Sequence, residues 1–196
     1  MSRTATVKRK TRETDIEMTI NLDGSGQSNI DTGIPFFNHM LDAFTRHGHF
    51  DLNLKAVGDL EIDEHHTMED TGLVLGQAIK EALTDKKGIY RYGHFSLVMD
   101  ETLVNTAVDL SGRPYLIYNV KPPVDFVAGI SVRLFNEFFQ GLVNTLGANL
   151  HIDMIRGEEA HHIIEASFKS FAKSLDRATQ IDPRETGVPS TKGMLD

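Results

Sequence analysis

The sequence predicts an α+β fold of two internally duplicated βα half-domains, each running strands, helix, strand, helix, packed together as a single catalytic domain over residues 1–196. Three observations predict it. One is a pair of His-His-x-x-Glu motifs, His65-His66-Thr67-Met68-Glu69 and His161-His162-Ile163-Ile164-Glu165, 96 residues apart. Another is a strand pattern recurring at an offset of 88: Glu13-Thr14 leads into Ile16, Met18, Ile20, Leu22 and Gly24, and Glu101-Thr102 into Val104, Thr106, Val108, Leu110 and Gly112. The third is Phe37-Asn38-His39, which returns as Phe135-Asn136-Glu137 at an offset of 98. Halves of about 7–88 and 89–180 follow, meeting near Lys86–Tyr90, with a closing segment Ile181–Asp196. Units of about ninety residues bury little core alone, so the halves are expected to pack on each other.

Each element has its own signal. Asp15–Leu22 alternates apolar and polar residues, the mark of a half-buried strand, and Asp23-Gly24-Ser25-Gly26 turns it. Asn29–Thr32 reads as a second strand. Pro35 suits the first position of a helix, and Phe36, Phe37, Met40, Leu41 and Phe44 give that helix an apolar face up to Gly48. Phe50–Ala56 alternates again. The first motif then opens an amphipathic helix carried by Leu73, Val74, Ala78, Ile79 and Leu83, ending near Thr84–Gly88. In the second half, Tyr115–Val120 reads as a strand, a helix from Phe135 ends near Gly147, and Leu150, Ile152 and Met154 mark a further strand. Phe168, Phe171, Ala172 and Leu175 form the apolar face of the second motif helix.

Composition narrows the function. Lys and Arg number 20 against 28 Asp and Glu, a net charge of −8, which argues against a nucleic-acid or anionic-membrane surface. No apolar run approaches the length of a membrane span. The basic start lacks the apolar region of a signal peptide, so the cytoplasm is the expected location. There is no cysteine, so a bound metal would have to use histidine and carboxylate.

The motif spacing supplies that chemistry. On a helix, i, i+3 and i+4 share a face, whereas adjacent residues splay by about 100°. Glu69 can therefore sit beside His65 or His66, while the two imidazoles point to different places. Two such helices can form a dinuclear cage. The plain alternative is a pair of histidine-rich surface helix starts, against which the duplication argues. The candidate ligands are His39, His65, His66, Glu69, Glu137, His161, His162 and Glu165. Eight side chains on two six-coordinate ions leave open positions, as in a catalytic site. Imidazole and carboxylate suit Mn(II), Fe(II) or Zn(II). Arg91, Arg113, Lys169 and Lys192 are candidate anion clamps, pointing to an anionic substrate. Ser190-Thr191-Lys192-Gly193 has the donors of an anion site, but a terminal segment without periodicity also reads as a frayed tail.

Asn38-His39-Met40-Leu41, Asp63–Asp70, Leu110–Tyr115, His161–Lys169 and Pro189–Gly193 together make the chain resemble the imidazoleglycerol-phosphate dehydratases of histidine biosynthesis, in order and spacing, from about Thr4 to Met194. The resemblance implies two Mn(II) ions per site, a homo-oligomer of 24 subunits with sites between subunits, and dehydration of imidazole glycerol phosphate to imidazole acetol phosphate. It implies Glu13 as the acid/base and Arg91, Arg113, Lys169, Ser190, Thr191 and Lys192, with Glu13, as substrate-binding residues. Where this chain has Glu137, many relatives have histidine. The C–H to be broken is not next to a carbonyl, so an enolate route is closed. Metals on the ring nitrogens would favour an imidazolate whose electrons expel the side-chain hydroxyl. Two other classes share the ligand set. A dinuclear metallohydrolase acting on a phosphorylated small molecule would activate water, and a metal-storage protein would take up metal without turnover.

Overall fold

The computed structural model describes residues 3–195. Two four-stranded sheets carry the duplication. The first half contains β1 (Thr4–Lys10), β2 (Thr14–Asn21), β3 (Ser28–Asp31), α1 (Pro35–Gly48), β4 (Asp51–Gly58) and α2 (His65–Leu83). The second contains β5 (Tyr92–Met99), β6 (Thr102–Asp109), β7 (Tyr115–Asn119), the small hairpin β8 (Phe126–Val127) and β9 (Ile130–Ser131), α3 (Arg133–Leu146), β10 (Asn149–Arg156) and α4 (Ala160–Thr179). The strand orders are β1-β2-β4-β3 and β5-β6-β10-β7. In both sheets the last pair is parallel and the others antiparallel. Equivalent strands thus take equivalent places, and the fold is the expected α+β duplication.

The inner faces follow the alternation. Ile16, Met18 and Ile20 of β2 are buried, as are Val104 and Val108 of β6, while their sequence neighbours point outward. The helices cross between halves: α2 packs on α3, and α1 on α4. One core results, centred on Phe37, Phe44, Phe135, Phe138, Phe139, Phe168 and Phe171. At the α2–α3 crossing the backbones nearly touch. A Cβ on Gly72 would lie 2.1 Å from the Phe138 carbonyl oxygen, and one on Gly141 would lie 2.7 Å from that of Glu69.

The structure adds elements that the hydrophobic pattern does not reveal. β1 extends the first half to Thr4, β5 starts the second sheet, and β8–β9 form a separate hairpin. The segment after α4 is tied back to Gly88 and Ile89. Ile181 bridges to Ile89, Gly88 N donates to Gly187 O at 2.8 Å, and Asp182 N donates to Gly88 O at 2.8 Å. Among the described residues no helix is long and apolar enough to cross a membrane.

Candidate metal and anion site

α1 and α4 meet at their N-terminal turns. Pro35 opens α1, and Asn38 steadies that turn by accepting from Thr32 N at 3.0 Å and Thr32 Oγ1 at 2.6 Å. Glu159 caps α4 by accepting from His162 N at 2.9 Å. The meeting brings together His39, His161 and Glu165, whose donor atoms lie within 4.8 Å of one another. Glu165 Oε2 is 2.9 Å from His161 Nε2 and 3.2 Å from His39 Nε2. An ion with bonds of about 2.1 Å spaces neighbouring ligands by about 3 Å, so two nitrogens and an oxygen at these separations fit a divalent cation. Lys169, one turn along α4, pairs with the other oxygen, Oε1, at 2.5 Å. Burial pushes the Glu165 carboxyl up, but the hydrogen bond and charge of Lys169, with His161, outweigh it and hold the group below the ordinary glutamate range.

On α2 and α3 the repeat supplies His65, Glu69 and Glu137, which stand further apart than the first three: among the described residues only His39, His161 and Glu165 bring their donor atoms within 4.8 Å. His65 Nε2 stands 3.5 Å from Glu69 Oε2, and Glu137 lines the same hollow as His65, a space of about 380 Å³. Glu137 occupies the position that His39 has in the first set. The second histidine of each motif points elsewhere. His66 Nδ1 lies 3.0 Å from Asp59 Oδ2, with Glu13 Oε1 3.9 Å from its Nε2. His162 Nδ1 lies 3.0 Å from Glu101 Oε2, with Asp100 Oδ2 3.9 Å from its Nε2. The hydrogen bond to Asp59 raises the His66 pKa, and that to Glu101 raises that of His162. Asp59 and Glu101 are absent from the sequence-derived set. The only sequence signal for Glu101 is its repeat relation to Glu13.

The anion candidates fall in two places. Arg91, Arg113, Ser190, Thr191 and Lys192 line one open cavity of about 940 Å³, together with Tyr92. Arg91 is heavily committed there. It donates to both oxygens of Asp109 at 2.7 and 3.1 Å and to Pro189 O at 2.9 Å, from a backbone at φ 69°, uncommon outside glycine. It therefore also holds the closing segment in place. Lys169 does not line this cavity; it belongs to the Glu165 cluster. The cavity lies at the opposite end of α4, where Arg91 N donates to Ala178 O at 2.9 Å. α4 has 20 residues, about 30 Å at 1.5 Å each, so one chain keeps its histidine cluster and its anion cavity far apart.

Fold and donor set define a duplicated α+β protein with clustered imidazole and carboxylate donors and a separate basic cavity. The family profile described as "Imidazoleglycerol-phosphate dehydratase" matches residues 32–175. The imidazoleglycerol-phosphate dehydratase of Geobacter metallireducens is 56% identical over 195 residues, covering 100% of both chains. The crystal structure of that enzyme from Staphylococcus aureus is 40% identical, with a TM-score of 0.83, covering 91% of this chain and 99% of that one. The structure of IGPD from Pyrococcus furiosus is 38% identical with a TM-score of 0.84, covering 96% of this chain and 100% of that one. The chain belongs to the imidazoleglycerol-phosphate dehydratase family.

Proposed function

We propose that the chain is a hydro-lyase of histidine biosynthesis that converts imidazole glycerol phosphate to imidazole acetol phosphate, in a cytoplasmic setting. Full-length similarity to dehydratases supports the reaction. The observation that carries the site is the convergence of His39 and His161, from opposite halves, on Glu165. His39, His161 and Glu165 would hold one Mn(II), and His65, Glu69 and Glu137 a second. His66 and His162, turned away from both clusters of their own chain, would complete the sites of neighbouring copies in a homo-oligomer, for which the family resemblance suggests 24 subunits. The separation along α4 supports the same reading. A substrate of one imidazole ring, three carbons and a phosphate cannot reach from the cluster to the cavity of a single chain.

When bound, the ions would supply Lewis acidity at the substrate's ring nitrogens. The remaining work falls to side chains. Glu13 is exposed and lies 3.9 Å from His66 Nε2, at the edge of the donor set. It takes the proton from the carbon beside the one that loses hydroxide, and the resulting enol tautomerises to the ketone. Arg113, Ser190, Thr191 and Lys192 grip the phosphate and orient the reacting end. Arg91 fixes the loop that carries three of them and, with its spare N–H groups, adds positive charge. Lys169 keeps Glu165 ionised. The test is to incubate Mn(II)-loaded protein with imidazole glycerol phosphate without an electron acceptor. Formation of the ketone supports the reading. Release of inorganic phosphate instead would indicate a metallohydrolase, and metal uptake without turnover a storage protein.

A further inference from the structure

The two halves hold the same glutamate in different states. Glu13 and Glu101 are repeat partners, 88 residues apart, and each stands beside the second histidine of its own motif. Glu101 is fully engaged. Its Oε2 is 3.0 Å from His162 Nδ1, and its Oε1 accepts from Thr102 Oγ1 at 2.8 Å, Glu159 N at 3.0 Å and Glu158 N at 3.3 Å. The Glu13 side chain is 54% exposed and approaches His66 only at 3.9 Å. Asp59 takes the place beside His66, at 3.0 and 3.2 Å from Nδ1. Its amide also donates to the Glu13 carbonyl at 3.1 Å.

A difference in loop length accounts for this. β4 repeats as β10 at an offset of 98, but the motif helices repeat at 96, so the first half has two extra residues between strand and helix. At the strand offset, Asp59 corresponds to Gly157, which has no side chain to offer. In the second half the repeated glutamate must hold the histidine itself.

We propose that Asp59 and Glu101 are matched positioning residues, each holding Nδ1–H of its histidine so that Nε2 faces outward as the ligating nitrogen, and that Asp59 thereby leaves Glu13 free to move protons. An ionised carboxylate can only accept, so the ring proton stays on Nδ1 and the Nε2 lone pair is open to a cation. The division of labour explains why one member of a duplicated glutamate pair is available for chemistry and the other is locked. It rests on the two-metal reading above.

The experiment is Mn(II) competition against a chelator on the assembled protein, with thermal melting measured in excess chelator. Asp59→Asn keeps the shape, but its amide can donate to Nδ1 and stabilise the tautomer with the proton on Nε2. Asp59→Asn and Glu101→Gln are each expected to weaken one ion by about 10- to 100-fold, the usual worth of an outer-shell partner. Asp59→Ala, which leaves Nδ1 to water, is expected to lose less than Asp59→Asn; a merely structural contact gives the reverse order. Glu13→Gln is expected to bind both ions like the wild type. Wild-type affinity in Asp59→Asn overturns the inference, as does a greater loss in Asp59→Ala. If Asp59→Asn does not fold, Glu101→Gln with wild-type affinity overturns it equally. Weak metal binding in Glu13→Gln overturns the division of labour alone. A wild-type protein that takes up no Mn(II) overturns the two-metal reading and the inference with it.

Discussion

Glu165 Oε2 lies 3.2 Å from His39 Nε2 although 126 residues separate them. The contact joins the two halves of one chain at the donor cluster, so a cation bound there would hold the start of α1 to the start of α4. About two Mn(II) per chain are expected, since eight N and O donors exceed the needs of one ion. Glu165→Ala should retain one. If His66 and His162 serve neighbouring copies, complete chelation should shrink the particle on sizing, and Mn(II) should restore it. A metal-free particle of unchanged size would refute the shared-site reading, and two ions in Glu165→Ala would remove Glu165 from the ligand set.

The α2–α3 crossing leaves no room for a methyl group. Gly72→Ala would set Cβ 2.1 Å from a backbone oxygen that cannot rotate away, and the helices would have to part. Overpacking of this kind costs about 1–3 kcal/mol, enough to lower Tm by several degrees. Glu137 and His65 line one hollow on these helices, so the second donor set should loosen as well. Gly187→Ala is the control, because its Cβ would meet nothing closer than 3.7 Å. Equal melting temperatures for the two variants would show that the crossing can relax.

Tyr118 gives a pH signature. Its hydroxyl is sealed from solvent, with no hydrogen-bond partner among the described residues, and burial pushes its pKa well above the ordinary tyrosine range. A folded value above the unfolded value of about 10 favours the fold fully below that pH, and the benefit is lost as pH rises through the folded value. Stability is therefore expected to fall above pH ~10, and one of the four phenols should ionise only as the chain unfolds. The chain has no tryptophan, so phenolate absorbance reads this cleanly. Four phenols titrating together in folded protein would contradict it.

Repetition made the central strands, the helices and the meeting of His39, His161 and Glu165 legible in the sequence. Ile16, Met18 and Ile20 alternate because one face of β2 meets the core. β1 and β5 escaped the same test for physical reasons. β1 is an edge strand whose Val7 is its one deeply buried residue, and Arg9 on that face reaches Asp70 instead. β5 packs on α4 through Gly93, where a Cβ would lie 1.8 Å from Ser174 O, so the pattern has a gap where burial is deepest. The outer partners Asp59 and Glu101 depend on the direction of Nδ1 and on a two-residue loop difference, neither of which periodicity encodes. Lys169 was legible as a cation on the motif helix, but its i,i+4 partner Glu165 competes for it locally and keeps it from the cavity of its own chain.

Glu13 and Lys192 separate chemistry from binding. Glu13→Gln removes an acid/base group while keeping size and most hydrogen bonding. If Glu13 moves the proton in the slow step, kcat should fall by roughly two to four orders of magnitude, with substrate affinity little changed. Lys192 lines the cavity with Arg113, Ser190 and Thr191, and its own amide donates to Ser190 Oγ at 3.2 Å. A phosphate held there is gripped equally in ground and transition states. Lys192→Ala should therefore raise KM more than it lowers kcat. The effect should be salt-sensitive, because the cavity is open to solvent and its charges are screened. Normal kcat in Glu13→Gln would leave that residue an exposed carboxylate at the entry to β2. Unchanged KM in Lys192→Ala would leave the 190–193 turn as an anchored end of the chain with no part in substrate binding.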